Sequence, residues 1–105
     1  MQQLTFHATR IAVDDCSEDG VLVFADGILI AVLACLEASF YGSDRGRWNL
    51  EAGFGRCAGT LTSFADLAAA AAWIAQRIGS DPRAAAASAR CFLAARDDAK
   101  HDGCT

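Results

Sequence analysis

Two apolar runs, Val21-Leu22-Val23-Phe24-Ala25 and Ile28-Leu29-Ile30-Ala31-Val32-Leu33-Ala34-Cys35-Leu36, are separated by Asp26 and Gly27 alone. Asp-Gly is a preferred pair for a two-residue type I′ turn, in which both central residues need positive φ. The runs are rich in Val, Ile and Phe, whose branched or flat side chains fit a pleated surface. The pattern predicts a β-hairpin, and the rest of the fold has to be built around it.

The chain has 105 residues, enough for one domain with one core. Its hydrophobic share is 53%, high enough to fold without a ligand. Ala supplies 23 residues, so that core combines many small groups with a few large ones. The net charge is −4. A chain of this sign does not attract nucleic acid or anionic lipid over its whole surface. The first twenty residues include Arg10, Asp14, Asp15, Glu18 and Asp19 and lack the apolar segment of a signal peptide. The stretch Val21 to Leu36 is too short to span a bilayer and is broken by Asp26-Gly27. Five cysteines, Cys16, Cys35, Cys57, Cys91 and Cys104, are odd in number and widely spaced. That usage fits reduced thiols better than a disulfide scaffold. A cytoplasmic location is expected.

Along the chain, Leu4, Phe6 and Ala8 alternate with Thr5, His7 and Thr9, a strand pattern. Asp14 to Gly20 reads as an acidic loop. The hairpin follows, its second strand continuing toward Tyr41. A turn at Gly42 to Gly46 leads into Trp48, Leu50, Ala52 and Phe54, which alternate with Arg47, Asn49 and Glu51. Ser63-Phe64-Ala65-Asp66 resembles a capping box. It opens a helix with the stripe Phe64, Leu67, Ala71, Ile74 and Ile78, and Gly79 closes it. Asp81-Pro82 starts a second helix that is expected to end near Arg96. The expected fold class is α+β: an antiparallel four-stranded β-meander, in the order β-β-β-β-α-α, with the 63–78 helix on one face. Residues 1–96 form the expected domain and 97–105 a flexible C-terminal tail.

Strict alternation through the hairpin pairs Val23 with Ile30 and Val21 with Val32. One face then holds Val21, Val23, Ile30, Val32, Leu36, Phe40, Trp48, Leu50 and Phe54, and the helix covers it. The other holds Leu22, Phe24, Leu29, Leu33 and Cys35, then Glu37, Ser39, Tyr41, Arg47, Asn49 and Glu51. An uncovered meander face is normally polar. Leu22, Phe24, Leu29 and Leu33 therefore form an expected interface, a patch of roughly a few hundred Å2. Trp73 lies off the helix stripe and is expected to meet the second helix or a partner chain. The expected occupant of the patch is a second copy in a homodimer, or another protein.

Chemistry is thinly represented. Asp15-x-Ser17-x-Asp19-Gly20 with Asp26 has the spacing of a calcium loop. However, the intervening Val21 to Ala25 strand carries Asp26 roughly 17 Å from Asp19 at about 3.3 Å per residue. Glu37 and Glu51, with Arg47 and Tyr41 nearby, form a candidate ligand-binding or acid/base group. His101-x-x-Cys104, Cys91 and Cys57 are too scattered for a structural zinc site. Arg45, Arg47, Arg83 and Arg90 bind nucleic acid only if they converge. No metal and no cofactor are expected. The expected function is a non-enzymatic protein-binding or assembly module acting through the sheet face. The competing reading is a small enzyme or small-ligand binder built on Glu37, Tyr41, Arg47 and Glu51.

The order of elements from Val21 to Ile78 resembles that of double-stranded-RNA-binding domains. Those carry lysines at the start of the last helix, where this chain has Ser63-Phe64-Ala65-Asp66-Leu67. That resemblance implies architecture and not RNA binding. Phe24-Ala25-Asp26-Gly27, Gly46-Arg47-Trp48-x-Leu50-Glu51-Ala52-Gly53-Phe54-Gly55 and Phe64-Ala65-Asp66-Leu67 with Trp73-Ile74 resemble small bacterial proteins of unknown function. This implies a sheet-plus-helix fold and no particular activity.

Overall fold

A computed structural model describes residues 3–13, 16–36, 46–60 and 62–103. It is an α+β fold. Five antiparallel strands run in sequence order, β1 (Leu4–Val13), β2 (Cys16–Ala25), β3 (Ile28–Cys35), β4 (Trp48–Gly53) and β5 (Ser63–Phe64). Two helices follow, α1 (Leu67–Ile78) and α2 (Pro82–Gly103). The hairpin turn is where the Asp-Gly pair requires it, with φ of 51° at Asp26 and 84° at Gly27.

The sheet has one strand more than expected. β5 is two residues long, pairing Phe64 with Trp48 and Ser63 with Asn49. Ser63 therefore belongs to the sheet and does not cap a helix. Asp66 is the N-cap, and its carboxylate accepts from the Ala69 N–H at 2.7 Å. The expected acidic loop is also a strand over Cys16 to Gly20. Its register with β1 is unbroken from Val13↔Cys16 to Leu4↔Ala25. The Arg10 guanidinium pairs with the Asp19 carboxylate across that ladder, so an acidic residue is accommodated by a cross-strand cation. α2 starts as expected at Pro82, with the Asp81 carboxylate accepting from the Arg83 N–H at 3.0 Å. It continues to Gly103, past the expected end near Arg96, because no Pro or Gly interrupts it earlier.

Two β-bulges decide which side chains face the helices. Val23 pairs with Ala31 and Phe24 with Leu29, so Ile30 is an extra residue on β3. Its carbonyl accepts from the Phe54 N–H at 2.9 Å. A bulge puts two residues opposite one and reverses the alternation beyond it. Leu33 and Cys35 consequently lie on the helix side, and Val32 on the other. Glu51 is the extra residue on β4, between Leu33↔Leu50 and Val32↔Ala52. It shifts the phase again, which is why Phe54, expected in the core, is 45% exposed.

The core lies between the inner face of the sheet and the two helices. Val21, Val23, Leu33, Leu50 and Trp48 meet Leu67, Ala70, Ala71, Ile74 and Ala75 of α1. Ala85 and Ala89 of α2 complete it, and Phe92 packs against Phe6 with ring centroids 5.8 Å apart. The alanines let α1 and α2 approach closely, so both helices fit on one side of the sheet.

Candidate functional site

With both helices on one face, the opposite, outer face has no covering layer among the described residues. Its members follow from the register. Leu22 pairs with Val32, and Phe24 with Leu29. His7 lies opposite Leu22, and Thr5 opposite Phe24. Leu22, Phe24, Leu29 and Val32 are each partly exposed, and Ala52 beside Val32 is too. His7 sets its ring edge-on to Phe24 at 5.0 Å. The patch extends along β1 through Ile11. A Cβ on Gly20 would lie 2.4 Å from the Ile11 Cδ1 atom, so the missing side chain at Gly20 is the seat of Ile11.

Of the expected interface residues, Leu22, Phe24 and Leu29 lie on this face. Leu33 does not: it is fully buried on the inner face, as the Ile30 bulge dictates. Val32 and Ile11 replace it; strict alternation through the hairpin assigns Val32 to the other face, and Ile11 lies on β1, outside the hairpin. Trp73 is partly buried and packs against the core. Its ring packs on Phe64 at 5.6 Å and carries the Arg77 guanidinium at 4.8 Å. Phe64 precedes the helix, so it can reach Trp73 from β5. In the sequence, Gly20 beside an apolar run is a signal for a close approach.

The polar half of the outer face lies at β4 and β5. Arg47 donates to the Ser63 hydroxyl at 3.1 Å and to the Ser63 carbonyl at 3.3 Å. The Asn49 amide donates to the Glu51 carboxylate. These are contacts within the sheet that tie β4 to β5 and the Glu51 bulge to its own strand. Glu37 and Tyr41, like Ser39, Phe40 and Arg45, lie outside the described residues. Arg83 and Arg90 are exposed on α2, away from Arg47. No group of three His, Cys, Asp or Glu side chains that would hold a metal ion occurs among the described residues.

Two clefts open elsewhere. One of about 220 Å3 lies between the start of β1 and the first turns of α2, lined by Gln3, Leu4, Ser80, Asp81, Ala85 and Ser88. The other, about 290 Å3, lies at the hairpin end among Ala25, Ile28, Ile30, Arg56 and Ile78. Neither is lined by Arg47 or Glu51. Among the described residues no helix is long and apolar enough to cross a membrane. Compared with known family models, curated proteins and solved structures, the chain matches none.

Proposed function

We propose that this chain is a small protein-binding and assembly module, not an enzyme, and that it acts in the cytoplasm through the outer face of its sheet. The observation that carries the reading is the row Leu22, Phe24, Leu29 and Val32, partly exposed on the side opposite both helices. Side chains of this type gain roughly 25 cal/mol for each Å2 of apolar surface removed from water. A partner that covers the row gains that free energy across several adjacent residues. The partner that fits is a second copy, because a two-fold axis lays the same apolar half against itself. The negative net charge argues against nucleic acid or an anionic lipid surface as the partner.

Sedimentation at micromolar concentration tests this directly. The wild-type chain should associate. Phe24→Glu places a carboxylate in the middle of the row and should shift the population toward the smaller species, with an unchanged far-ultraviolet circular dichroism spectrum. Association that Phe24→Glu leaves intact would refute the outer face as the contact.

A further inference from the structure

We propose that β1 is a second docking element, the edge on which another copy of this chain adds its own β1 antiparallel, about a two-fold axis at Ala8. The choice of a second copy as occupant rests on reading the chain as a self-assembling module, but the surface is a different one. The pairing would join two five-stranded sheets into one continuous sheet.

An edge strand presents unpaired N–H and C=O groups to any chain that approaches it. Proteins that avoid this use short edges, prolines, bulges or inward charges. β5, at the opposite edge, is short in that way. β1 lacks the first three of these devices. It is ten residues long, contains neither Pro nor Gly, and keeps an unbroken register with β2. Its one arginine, Arg10, is engaged by Asp19 of the neighbouring strand.

The hydrogen-bond phase identifies which groups are on offer. The Asp26 N–H donates to the Gln3 carbonyl at 3.1 Å, so Gln3 bonds toward β2. Alternation then turns Thr5, His7, Thr9 and Ile11 toward β2 as well. The backbone groups of Leu4, Phe6, Ala8 and Ala12 point the other way, out of the sheet. Outward groups pair with outward groups, so only registers displaced by even steps are allowed. Centring on Ala8 sets Leu4 opposite Ala12 and Phe6 opposite Arg10. Every position from Leu4 to Ala12 then has a counterpart, and no two like charges stand opposite each other. Centring on Arg10 would set the two cations face to face and leave Leu4 and Phe6 unpaired. The side chains on the approach are small, with Ala8 and Ala12 both exposed.

This axis is normal to the sheet, whereas the axis of an outer-face contact lies between two sheets. The two contacts are compatible, and with their axes crossing at right angles they close a dihedral tetramer.

The alternation supplies a selective variant. Proline at an edge removes the one N–H it replaces. Ala8→Pro deletes an outward donor and leaves the bonds to β2 in place, whereas His7→Pro deletes a bond to β2. Light scattering on the full chain should give a tetrameric mass for the wild type, halved by Ala8→Pro with the β signal retained. Phe24→Glu should also halve it, and the two together should give monomer. A mass unchanged by Ala8→Pro overturns the edge contact. A mass halved by Ala8→Pro but unchanged by Phe24→Glu supports the edge and overturns the outer face. A wild-type monomer overturns both. If Ala8→Pro does not fold, amide exchange in the wild type decides. Protection of the Phe6 and Ala8 amides equal to that of Thr5 and His7 supports the pairing, and fast exchange at those two positions in the assembled protein overturns it.

Discussion

Val32 and Leu33 are consecutive residues in one apolar run, and they have opposite fates. Leu33 is completely buried between β2, β4 and α1, and Val32 is partly exposed on the face opposite both helices. The same holds across the hairpin, where Val21 and Val23 are fully buried while Leu22 and Phe24 are not. The two faces are about equally apolar over β2 and β3. What separates them is the single extra residue Ile30 and the side on which the alanine-rich helices settle. Hydrophobicity marks a strand as suited to burial, but topology decides which half of it is buried.

The largest test of that comparison is a matched pair of truncations. Leu33→Ala should cost about 2–5 kcal/mol, as expected for a core leucine that leaves a cavity. Leu22→Ala removes the same atoms from the outer face and should cost about 1 kcal/mol or less in the dissociated chain. Urea denaturation at high dilution measures both. Equal costs would mean that the alternation runs unbroken through Ile30, with Leu22 and Leu33 on the same face, and the reverse order would mean that the helices cover the other face.

Much of the fold was legible because its signals are local. Asp26-Gly27 names its own turn, Gly79 and Asp81-Pro82 mark the gap between helices, and Trp48 to Glu51 alternates openly. The bulges were not legible for a physical reason. Ile28 to Leu36 is apolar at nearly every position, so a reversal of phase leaves the pattern of the run unchanged. β5 escaped because two residues carry no periodicity. Cys16 to Gly20 read as a loop because its acids suit a turn, whereas a long partner strand and Arg10 hold them extended. For the candidate site, the apolar row was legible apart from Leu33, which the bulge turned inward. Arg47 and Glu51 were placed on the polar half by alternation, but the hydrogen bonds that engage them depend on β5.

Two glycines sharpen the contrast at the level of single atoms. A Cβ on Gly53 would lie 2.0 Å from the Cys57 carbonyl oxygen, in the 3₁₀ turn Gly55–Cys57. That obstacle is backbone and cannot rotate away. Gly53→Ala should cost about 3 kcal/mol, near the upper end for overpacking. On the outer face, Gly20→Ala meets chiefly the Ile11 side chain, which can rotate, and more mildly the Leu33 carbonyl oxygen at 3.1 Å. Its cost should be about 1 kcal/mol, and most of it should vanish in an Ile11→Ala background. Thermal melts of the four proteins form a double-mutant cycle for the outer pair. An additive cycle would mean that Ile11 does not occupy the space at Gly20.

The inner face is buried only while α1 is seated on it. Asp66→Ala removes the carboxylate that caps the Ala69 N–H and should lower stability by about 1 kcal/mol. Asp66→Asn or Asp66→Ser should restore most of it. Trp73 fluorescence follows the local effect, because its ring sits on Phe64, two residues before the cap. A loss of stability that neither replacement rescues would assign Asp66 a role other than capping.

The smallest effect concerns the thiols. Cys57 is fully buried beside Gly53, and Cys91 is exposed on α2. Burial pushes the Cys57 thiol above its ordinary value of 9.0, and the Arg77 guanidinium opposes this more weakly. The group is an acid whose folded-state pKa is raised, so the unfolded chain ionises first. Below about pH 9 both states hold the proton and Cys57 adds no pH dependence. As the pH rises from there toward the folded pKa, the native state binds more protons than the unfolded state, and stability falls. One group sets the slope at no more than about 1.4 kcal/mol per pH unit. Urea midpoints between pH 8 and 10 should therefore decline more steeply for the wild type and Cys91→Ala than for Cys57→Ala. In the native protein at neutral pH, a thiol-specific reagent should modify Cys91 readily and Cys57 only through opening of the inner core. Equal modification rates at Cys57 and Cys91 would place the 3₁₀ turn at the surface and remove Cys57 from the buried face.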